Sequence, residues 1–160
     1  IKRLLSEWRM KPIVEARQAM RGVGPVTAAT IAAEVGDMAR FPTPKQFMAY
    51  IGIIPSENST GDSIRRGKIT KTGNSHIRFV LIEAAKQYIH KARISRDLLK
   101  RQEGLTKDVV DIAWKAQKRL CARFLAFVMR GKHKNTTAVA IARKLAAFVW
   151  ALVRQVPQAA

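Results

Sequence analysis

Residues 20–31 read Met-Arg-Gly-Val-Gly-Pro-Val-Thr-Ala-Ala-Thr-Ile and place a Gly-x-Gly turn between two segments whose apolar residues recur at helical spacing. Glycine ends a helix well because it adopts the left-handed conformation, and proline is tolerated at the first position of the next helix. Pro25 therefore marks the start of a small, alanine-rich helix, which Gly36 ends. This stretch predicts two helices joined by a tight turn.

The other periodic segments also predict helices. Apolar residues three or four positions apart follow four further helix starts, at Thr43-Pro44, Asn74, Thr106 and Asn135. The helix that starts at Asn74 is expected to continue to about Ile94. No segment alternates apolar and polar residues over a length that suits a strand. With 48% hydrophobic residues in 160, the chain should form one compact all-α domain.

Residues 53–73 interrupt the helical pattern. They show no period and are rich in glycine, serine, threonine and asparagine, which favour turns. Loops longer than about 12–15 residues inside a compact domain are usually functional or disordered. We therefore predict one long functional loop at this place.

The charge of the chain predicts a polyanionic partner. Lys and Arg number 30 against 11 Asp and Glu, which gives a formal charge of +19. Solubility asks for only about 2 to 8 net charges on a small domain. Phosphates neutralised by Lys or Arg release counterions, and this release drives binding to DNA or RNA. A membrane surface is the weaker alternative, since no unbroken apolar stretch reaches the roughly 18 residues of a span.

Cysteine and histidine usage argues against metal and disulfide sites. Cys121 is the single cysteine, and His76, His90 and His133 lie far apart in the chain. This spacing predicts no structural zinc, and Cys121 is expected to be a small buried residue. No leader with a cleavage site precedes the domain, and the chain starts at Ile1. We therefore expect an intracellular protein that is a fragment of a longer one.

The Gly-x-Gly turn also predicts a contact with DNA. It resembles the helix-hairpin-helix motif, which binds the DNA backbone without regard to sequence. Gly22 and Gly24 let the backbone approach a phosphate, and Thr27 lies in the first turn of the following helix, where the helix dipole is positive. The alternative is an ordinary turn between two helices.

Hydroxyl groups and cations follow each other in the long loop. A serine or threonine oxygen can attack a phosphodiester, and nearby cations can stabilise the charge that develops on its oxygens. Glu57 and Asp62 do not make a metal site by themselves. A loop that only contacts phosphate has the same composition. The candidate hydroxyls are Ser59, Thr60 and Ser63, and the candidate cations are Arg65, Arg66, Lys68 and Lys71.

Five motifs occur in order along most of the chain. They are Gly22-Val23-Gly24-Pro25, residues 49–55 (Ala-Tyr-Ile-Gly-Ile-Ile-Pro), Ser59-Thr60-Gly61, residues 66–74 (Arg-Gly-Lys-Ile-Thr-Lys-Thr-Gly-Asn) and residues 140–145 (Ala-Ile-Ala-Arg-Lys-Leu). Together they resemble the C-terminal transposase domain of the insertion-sequence 110 (116/110/902) family of serine-type transposases. The ordered run is far more specific than any one motif.

The resemblance implies a part of a transposase or recombinase that cleaves and exchanges DNA strands through a covalent protein–DNA intermediate. In that family a ribonuclease-H-like N-terminal domain binds a divalent metal (Mg), and a coiled coil joins it to the C-terminal domain. Residues 1–20 would then be the end of the connecting helix, and residues 21–156 the helical transposase domain. No cofactor or metal is expected in this chain, which should not be active alone. Expected partners are the element ends, the target DNA, a guide RNA in some members and further copies of the protein, in the prokaryotic cytoplasm at the nucleoid.

The resemblance also ranks the hydroxyls of the loop. The family's serine immediately precedes the loop glycine, a position that Thr60 occupies here with Ser59 beside it. Threonine is β-branched and stiffer, so Ser59 is the first choice, Thr60 the second and Ser63 the third.

Arg78 and Arg143 are further candidate DNA contacts, although charge on a helix such as that of Arg143 and Lys144 is usually solvated. Two other functions remain open at this point. They are a non-catalytic helix-hairpin-helix DNA-binding module, such as a truncated relic, and an RNA-binding structural protein.

Overall fold

The computed structural model describes residues 8–57 and 66–156. Within these residues, seven α-helices and one two-stranded hairpin follow in chain order. They are α1 (Lys11–Arg17), α2 (Pro25–Val35), α3 (Pro44–Tyr50), β1 (Pro55–Glu57), β2 (Arg66–Ile69), α4 (Ser75–Lys86), α5 (Arg96–Gln102), α6 (Lys107–Met129) and α7 (Lys134–Val153). Short 3₁₀ turns occupy Met38–Arg40 and Gln87–Ile89. The expected compact, mostly α-helical fold is confirmed.

Most predicted helix starts agree with the observed caps; the last helix begins at Lys134, one residue before the predicted Asn135. Thr43 forms a reciprocal capping box with Gln46, and the Asn74 side chain accepts a hydrogen bond from the backbone N–H of Ile77 at 2.9 Å. Pro25 is the first residue of α2, and Gly36 caps its C-terminus. These caps satisfy backbone groups that have no partner within the helix, so a short local sequence is enough to place the boundary.

Two details differ from the sequence-based expectation. The helix that was expected to reach about Ile94 ends at Lys86, and Ser95 caps a separate helix, α5. Within the long loop, β1 pairs antiparallel with β2, with Pro55 opposite Ile69 and Glu57 opposite Arg66. Strands of three and four residues are too short to show alternation, and their pairing is therefore decided by contacts across the hairpin.

Helix α7 lies at the centre of the domain. It packs against α1, α3, α4 and α6, and its buried residues include Ile141, Leu145 and Val149. The indole N–H of Trp150 donates to the carbonyl of Phe41 at 2.8 Å and so joins α7 to the chain segment before α3. Because one helix supplies a face to four others, the described residues share one hydrophobic core.

By length and composition alone, α7 could also cross a membrane. However, half of its apolar window is buried inside the domain. Arg143 and Lys144 also interrupt that window near its middle. Core helices of globular domains have the same composition when they are surrounded by other helices. We therefore interpret α7 as the core helix of this domain.

Helix α1 is part of the same core. Its Ile13 and Val14 side chains are buried, as is Met20 in the turn that follows, and α1 packs against α2 and α7. The boundary expected at residue 20, with a connecting helix before it, stays a prediction. Residues 1–7 lie outside the described residues.

Candidate nucleic-acid interface

The turn between α1 and α2 lies directly against the end of α4. Gly22 has a φ of +79°, and a Cβ atom added there would lie 2.4 Å from the carbonyl oxygen of Ala84. A side chain at this position would therefore need both an unfavourable backbone conformation and a displaced helix. Gly24, by contrast, has open space around it and caps α2 without a side-chain hydrogen bond. The first turn of α2 therefore stays uncovered.

Side chains from α5 hold the same turn in place. Arg101 Nη1 donates to the carbonyl of Val23 at 2.9 Å, and Gln102 Nε2 donates to the carbonyl of Ala19 at 3.0 Å. Carbonyl groups in a turn have no helical partner, so these donors satisfy them where water has little access. Sequence reasoning missed this support because helix α5 was not predicted.

A cleft of about 910 Å³ opens between this turn and the chain from Gln87 to Arg101. We call it the basic cleft, because four cationic side chains line it together with Gly22 and Gly24. The cations are Arg21, Lys91, Arg93 and Arg101. Asp97 also lines it, and its Oδ2 lies 3.1 Å from Arg101 Nη2. Positive charge is therefore in excess in the cleft, which favours an anionic ligand.

A buried thiol, that of Cys121, and a buried phenol, that of Tyr88, lie close to Arg21, which lines the basic cleft. Arg21 Nη1 donates to the carbonyl of Lys91 at 2.9 Å and lies 3.8 Å from Cys121 Sγ. Burial raises the pKa of the Cys121 thiol and of the Tyr88 hydroxyl above their ordinary values. Because thiolate is the reactive form of cysteine, Cys121 is expected to be inert at neutral pH. Its predicted role as a small buried residue is confirmed, with 7% of its surface exposed.

The hairpin β1–β2 is anchored at its base by two glycines. A Cβ atom added at Gly52 would lie 1.8 Å from the carbonyl oxygen of Thr72, and one added at Gly73 would lie 1.9 Å from that of Tyr50. The backbone N–H of Lys71 donates to Gly52 O at 3.1 Å. These contacts fix where the two ends of the long loop leave the helical domain.

A carboxylate on α2 joins this base to the helices. Asn74 Nδ2 donates to Glu34 Oε2 at 2.7 Å, and His76 Nδ1 lies 3.1 Å from Glu34 Oε1. The hydrogen bonds from Asn74 and then His76 lower the pKa of Glu34. The Tyr50 hydroxyl donates to the Glu34 carbonyl at 3.3 Å. Neither Glu34 nor His76 was a candidate from the sequence, since 42 residues separate them.

Helices α2 and α4 connect the basic cleft to the base of the hairpin. The start of α2 and the end of α4 border the cleft, where Gly22 approaches Ala84. The end of α2 and the start of α4 meet at the Glu34 contacts. An 11-residue helix is about 16 Å long at 1.5 Å per residue. The two sites therefore lie at opposite ends of one antiparallel helix pair.

Some of the residues predicted for the site lie at the basic cleft or at the base of the hairpin. Gly22 and Gly24 line the basic cleft, whereas Thr27 is half-buried on α2 and does not line it. Lys68 and Lys71 are exposed on and after β2. Arg78 Nη1 donates to the Ile51 carbonyl at 3.0 Å, at the base of the hairpin.

The other residues predicted for the site either lie away from the basic cleft and the hairpin or fall outside the described residues. Arg143 is on α7 beside Lys144, and of Arg66 only the backbone, in β2, is described. Ser59, Thr60, Ser63 and Arg65 lie outside the described residues. All of these assignments stay predictions.

No set of three His, Cys, Asp or Glu side chains in residues 8–57 and 66–156 is grouped closely enough to hold a metal ion. The expectation that a divalent metal is bound by another domain of the longer protein stays a prediction.

The sequence is similar to a described protein family and to several known proteins. A family model described as Transposase IS116/IS110/IS902 family matches residues 15–100. The range includes the Gly-x-Gly turn, the hairpin and its anchors, and nearly all of the chain that lines the basic cleft.

Several curated relatives are similar over most of the chain. A putative transposase y4qE of Sinorhizobium fredii (strain NBRC 101917 / NGR234) is 43% identical over 158 residues, which are 99% of this chain and 40% of the relative. A probable family 20 transposase of Pseudomonas aeruginosa is 32% identical over 84% of this chain and 33% of its own length. The transposase for insertion sequence element IS1111A of Coxiella burnetii is 29% identical over 85% of this chain and 31% of the relative.

This chain therefore spans 40% or less of the length of these relatives. Because the family model matches more than half of the chain, and because the motifs occur in their expected order, the chain belongs to the IS116/IS110/IS902 family of transposases.

Proposed function

We propose that this chain is the DNA-binding part of a transposase and that its long loop carries the hydroxyl nucleophile for strand cleavage and exchange. The observation that carries the proposal is the arrangement of two cationic sites at the ends of the α2–α4 pair. One is the basic cleft at the Gly-x-Gly turn, and the other is the hairpin that leads to the hydroxyl-rich residues 58–65.

The basic cleft would hold the phosphate backbone of DNA. Lys91 and Arg93 are exposed at its edge, and the uncovered first turn of α2 adds backbone N–H groups and the positive end of a helix dipole. Contacts of this kind position a duplex without reading its sequence. At 3.4 Å per base pair, the roughly 16 Å between cleft and hairpin base correspond to about five base pairs. One duplex could contact both.

The loop would carry out the covalent step. The hydroxyl oxygen of Ser59, with Thr60 and Ser63 as alternatives, attacks a backbone phosphorus and forms a new P–O ester bond. One existing P–O bond to the sugar breaks, and the released sugar oxygen takes up a proton, which balances the proton that the attacking hydroxyl loses. Because one ester replaces another, the joined strand can later be transferred to a new sugar hydroxyl by the reverse reaction. Arg65, Arg66, Lys68 and Lys71 would stabilise the charge on the non-bridging oxygens.

Removing two cations from the basic cleft should weaken DNA binding. The double variant Lys91→Gln/Arg93→Gln is expected to bind a duplex about tenfold more weakly at 0.15 M salt, because two phosphate contacts are lost. The slope of log K against log salt should become shallower by about 2, since each contact contributes roughly 0.9. Fluorescence anisotropy with a labelled duplex measures both quantities.

The matched control for this experiment is Lys45→Gln/Lys134→Gln, which removes two exposed cations that do not line the cleft. Equal losses of affinity in the two double variants would mean that net charge, rather than the cleft, binds DNA. If duplex RNA competed better than duplex DNA, an RNA-binding role would be the better description.

The nucleophile can be tested in the complete protein with the ends of its element. A covalent protein–DNA adduct is expected on a denaturing gel, and it should disappear in Ser59→Ala/Thr60→Ala because no attacking oxygen remains at that position. Ser56→Ala is the control, since the Ser56 hydroxyl donates to the Lys68 carbonyl at 3.0 Å within the hairpin. An adduct that survives the double substitution rules out both hydroxyls and leaves Ser63.

A further inference from the structure

The C-terminal third of the chain has an unusual charge distribution. Residues 112–160 contain ten Lys and Arg and no Asp or Glu. None of these ten cations lines the basic cleft, and none belongs to the hairpin. The basic cleft and the hairpin therefore do not account for these ten positive charges.

Four of these cations form one group on helices α6 and α7, which pack against each other. We call the group the α6–α7 ridge; its members are Arg119, Arg123, Arg143 and Lys144. Arg119 and Arg123 are exposed and lie one turn apart, about 6 Å along α6. Desolvation and then repulsion by Arg123, Arg143 and Arg119 lower the pKa of Lys144, so the four charges are close enough to act on one another.

The α6–α7 ridge lacks a counter-charge from the described part of the chain. The ion pairs there join Lys11 to Glu15, His76 to Glu34, Lys86 to Glu83 and Arg101 to Asp97, and none includes a ridge residue. Asp111, the last acidic residue before the ridge in the sequence, lies eight positions before Arg119, about 12 Å along the helix. Unpaired like charges repel each other and attract a polyanion.

The α6 side of the ridge faces away from Arg21, one of the cations that line the basic cleft. Cys121 on α6 lies 3.8 Å from Arg21 and so marks the side of α6 that faces this cation. Arg119 and Arg123 are each two positions from Cys121, which places them roughly 160° around the helix from it. DNA has a persistence length of about 50 nm. A short duplex in the cleft therefore cannot bend around α6 to reach the ridge.

We propose that the α6–α7 ridge binds the phosphodiester backbone of a second nucleic-acid segment, so that one domain holds two segments at the same time. The inference rests on the proposed function, because it takes the basic cleft as the site of the first segment. A transposition reaction requires the element and its target to meet, and two backbone-binding faces on one rigid core would bring them together.

Capture of a second duplex tests the proposal. A biotinylated duplex is immobilised, the full chain is bound to it at a concentration where sedimentation shows monomer, and a fluorescent duplex is then added. Wild type should retain the fluorescent duplex. Arg119→Gln/Arg123→Gln should bind the immobilised duplex as wild type does but retain roughly tenfold less of the second, since two phosphate contacts are lost. Arg143→Gln/Lys144→Gln should behave in the same way.

The control is Lys45→Gln/Lys107→Gln, two exposed cations outside the ridge, which should retain wild-type capture. The capture step is run once with duplex DNA and once with duplex RNA of the same sequence, which shows which of the two nucleic acids the ridge binds. The proposal would be overturned if both ridge variants retained as much of the second duplex as wild type. It would also be overturned if wild type bound the immobilised duplex but never retained a second one. In either case the basic cleft would still stand as the first site. Loss of binding to the immobilised duplex in Lys91→Gln/Arg93→Gln concerns only that cleft.

Discussion

The variant Gly52→Ala is expected to lose about 3 kcal/mol or more of unfolding free energy. Gly52 has a φ of +65°, where a residue with a Cβ atom pays roughly 1–2 kcal/mol. The added Cβ would also lie 1.8 Å from the carbonyl oxygen of Thr72 and 2.8 Å from the Thr72 backbone nitrogen. Because both clashes are with backbone, the chain itself must move, and overpacking of this kind typically costs a further 1–3 kcal/mol. Urea denaturation followed by circular dichroism measures the loss.

A second glycine, which also has a positive φ but has free space around it, separates the conformational cost from the cost of the clash. Gly104 has a φ of +78° and nothing within 4 Å of an added Cβ atom. Gly104→Ala should therefore show only the conformational cost, about 1–2 kcal/mol. If both variants lost the same free energy, the close approach at the base of the hairpin would not exist in the folded protein.

The variant Arg17→Met is expected to raise the unfolding free energy by about 2 kcal/mol. Arg17 is fully buried, and its Nε, Nη1 and Nη2 atoms have no hydrogen-bond partner among the described residues. Burial lowers its pKa to about 9. A buried charge without a partner is strongly unfavourable, and an apolar side chain of similar volume often stabilises the fold at such a position. Methionine is flexible enough to fill the space.

The stabilisation expected from Arg17→Met should depend on pH. The pKa of Arg17 is lower in the folded chain, about 9, than its ordinary value. The cost of the buried charge is therefore absent at pH values above the ordinary pKa of arginine, grows as the pH falls toward 9, and is complete below 9. The gain from Arg17→Met should be full at pH 7 and smaller at pH 10. Lys100→Met, at an exposed position on α5, is the control and should change stability by less than about 0.5 kcal/mol. A loss of stability in Arg17→Met would show that the charge is paired.

The fold could be predicted largely because its signals are local. Helix caps such as Thr43 and Asn74 act on backbone groups two or three residues away, and both can be recognised in the sequence. The expected helix through Ile94 was wrong at its end, because the 3₁₀ turn Gln87–Ile89 and the cap at Ser95 interrupt a sequence that contains no glycine or proline there. Hydrophobic spacing alone does not reveal such a break.

The candidate interface could be predicted only in part. Gly22 and Gly24 were identified from the sequence, yet three of the four cations that share their cleft come from residues 91–101, some 70 positions later. Which face of α6 carries Arg119, and which faces Arg21, also follows from packing. The excess of charge was visible, but its division between opposite sides of the domain was not.

The sequence by itself therefore determined a compact helical domain, its turn and loop positions, an excess of positive charge and the family. Each of these depends on local order or on composition, which do not change when the chain folds. Only the tertiary structure decided that Gly22 must lack a side chain because of Ala84, that Glu34 holds the base of the hairpin, and that the cations form a cleft and a ridge. Those features depend on distances between residues far apart in the chain, and packing around α7 sets these distances.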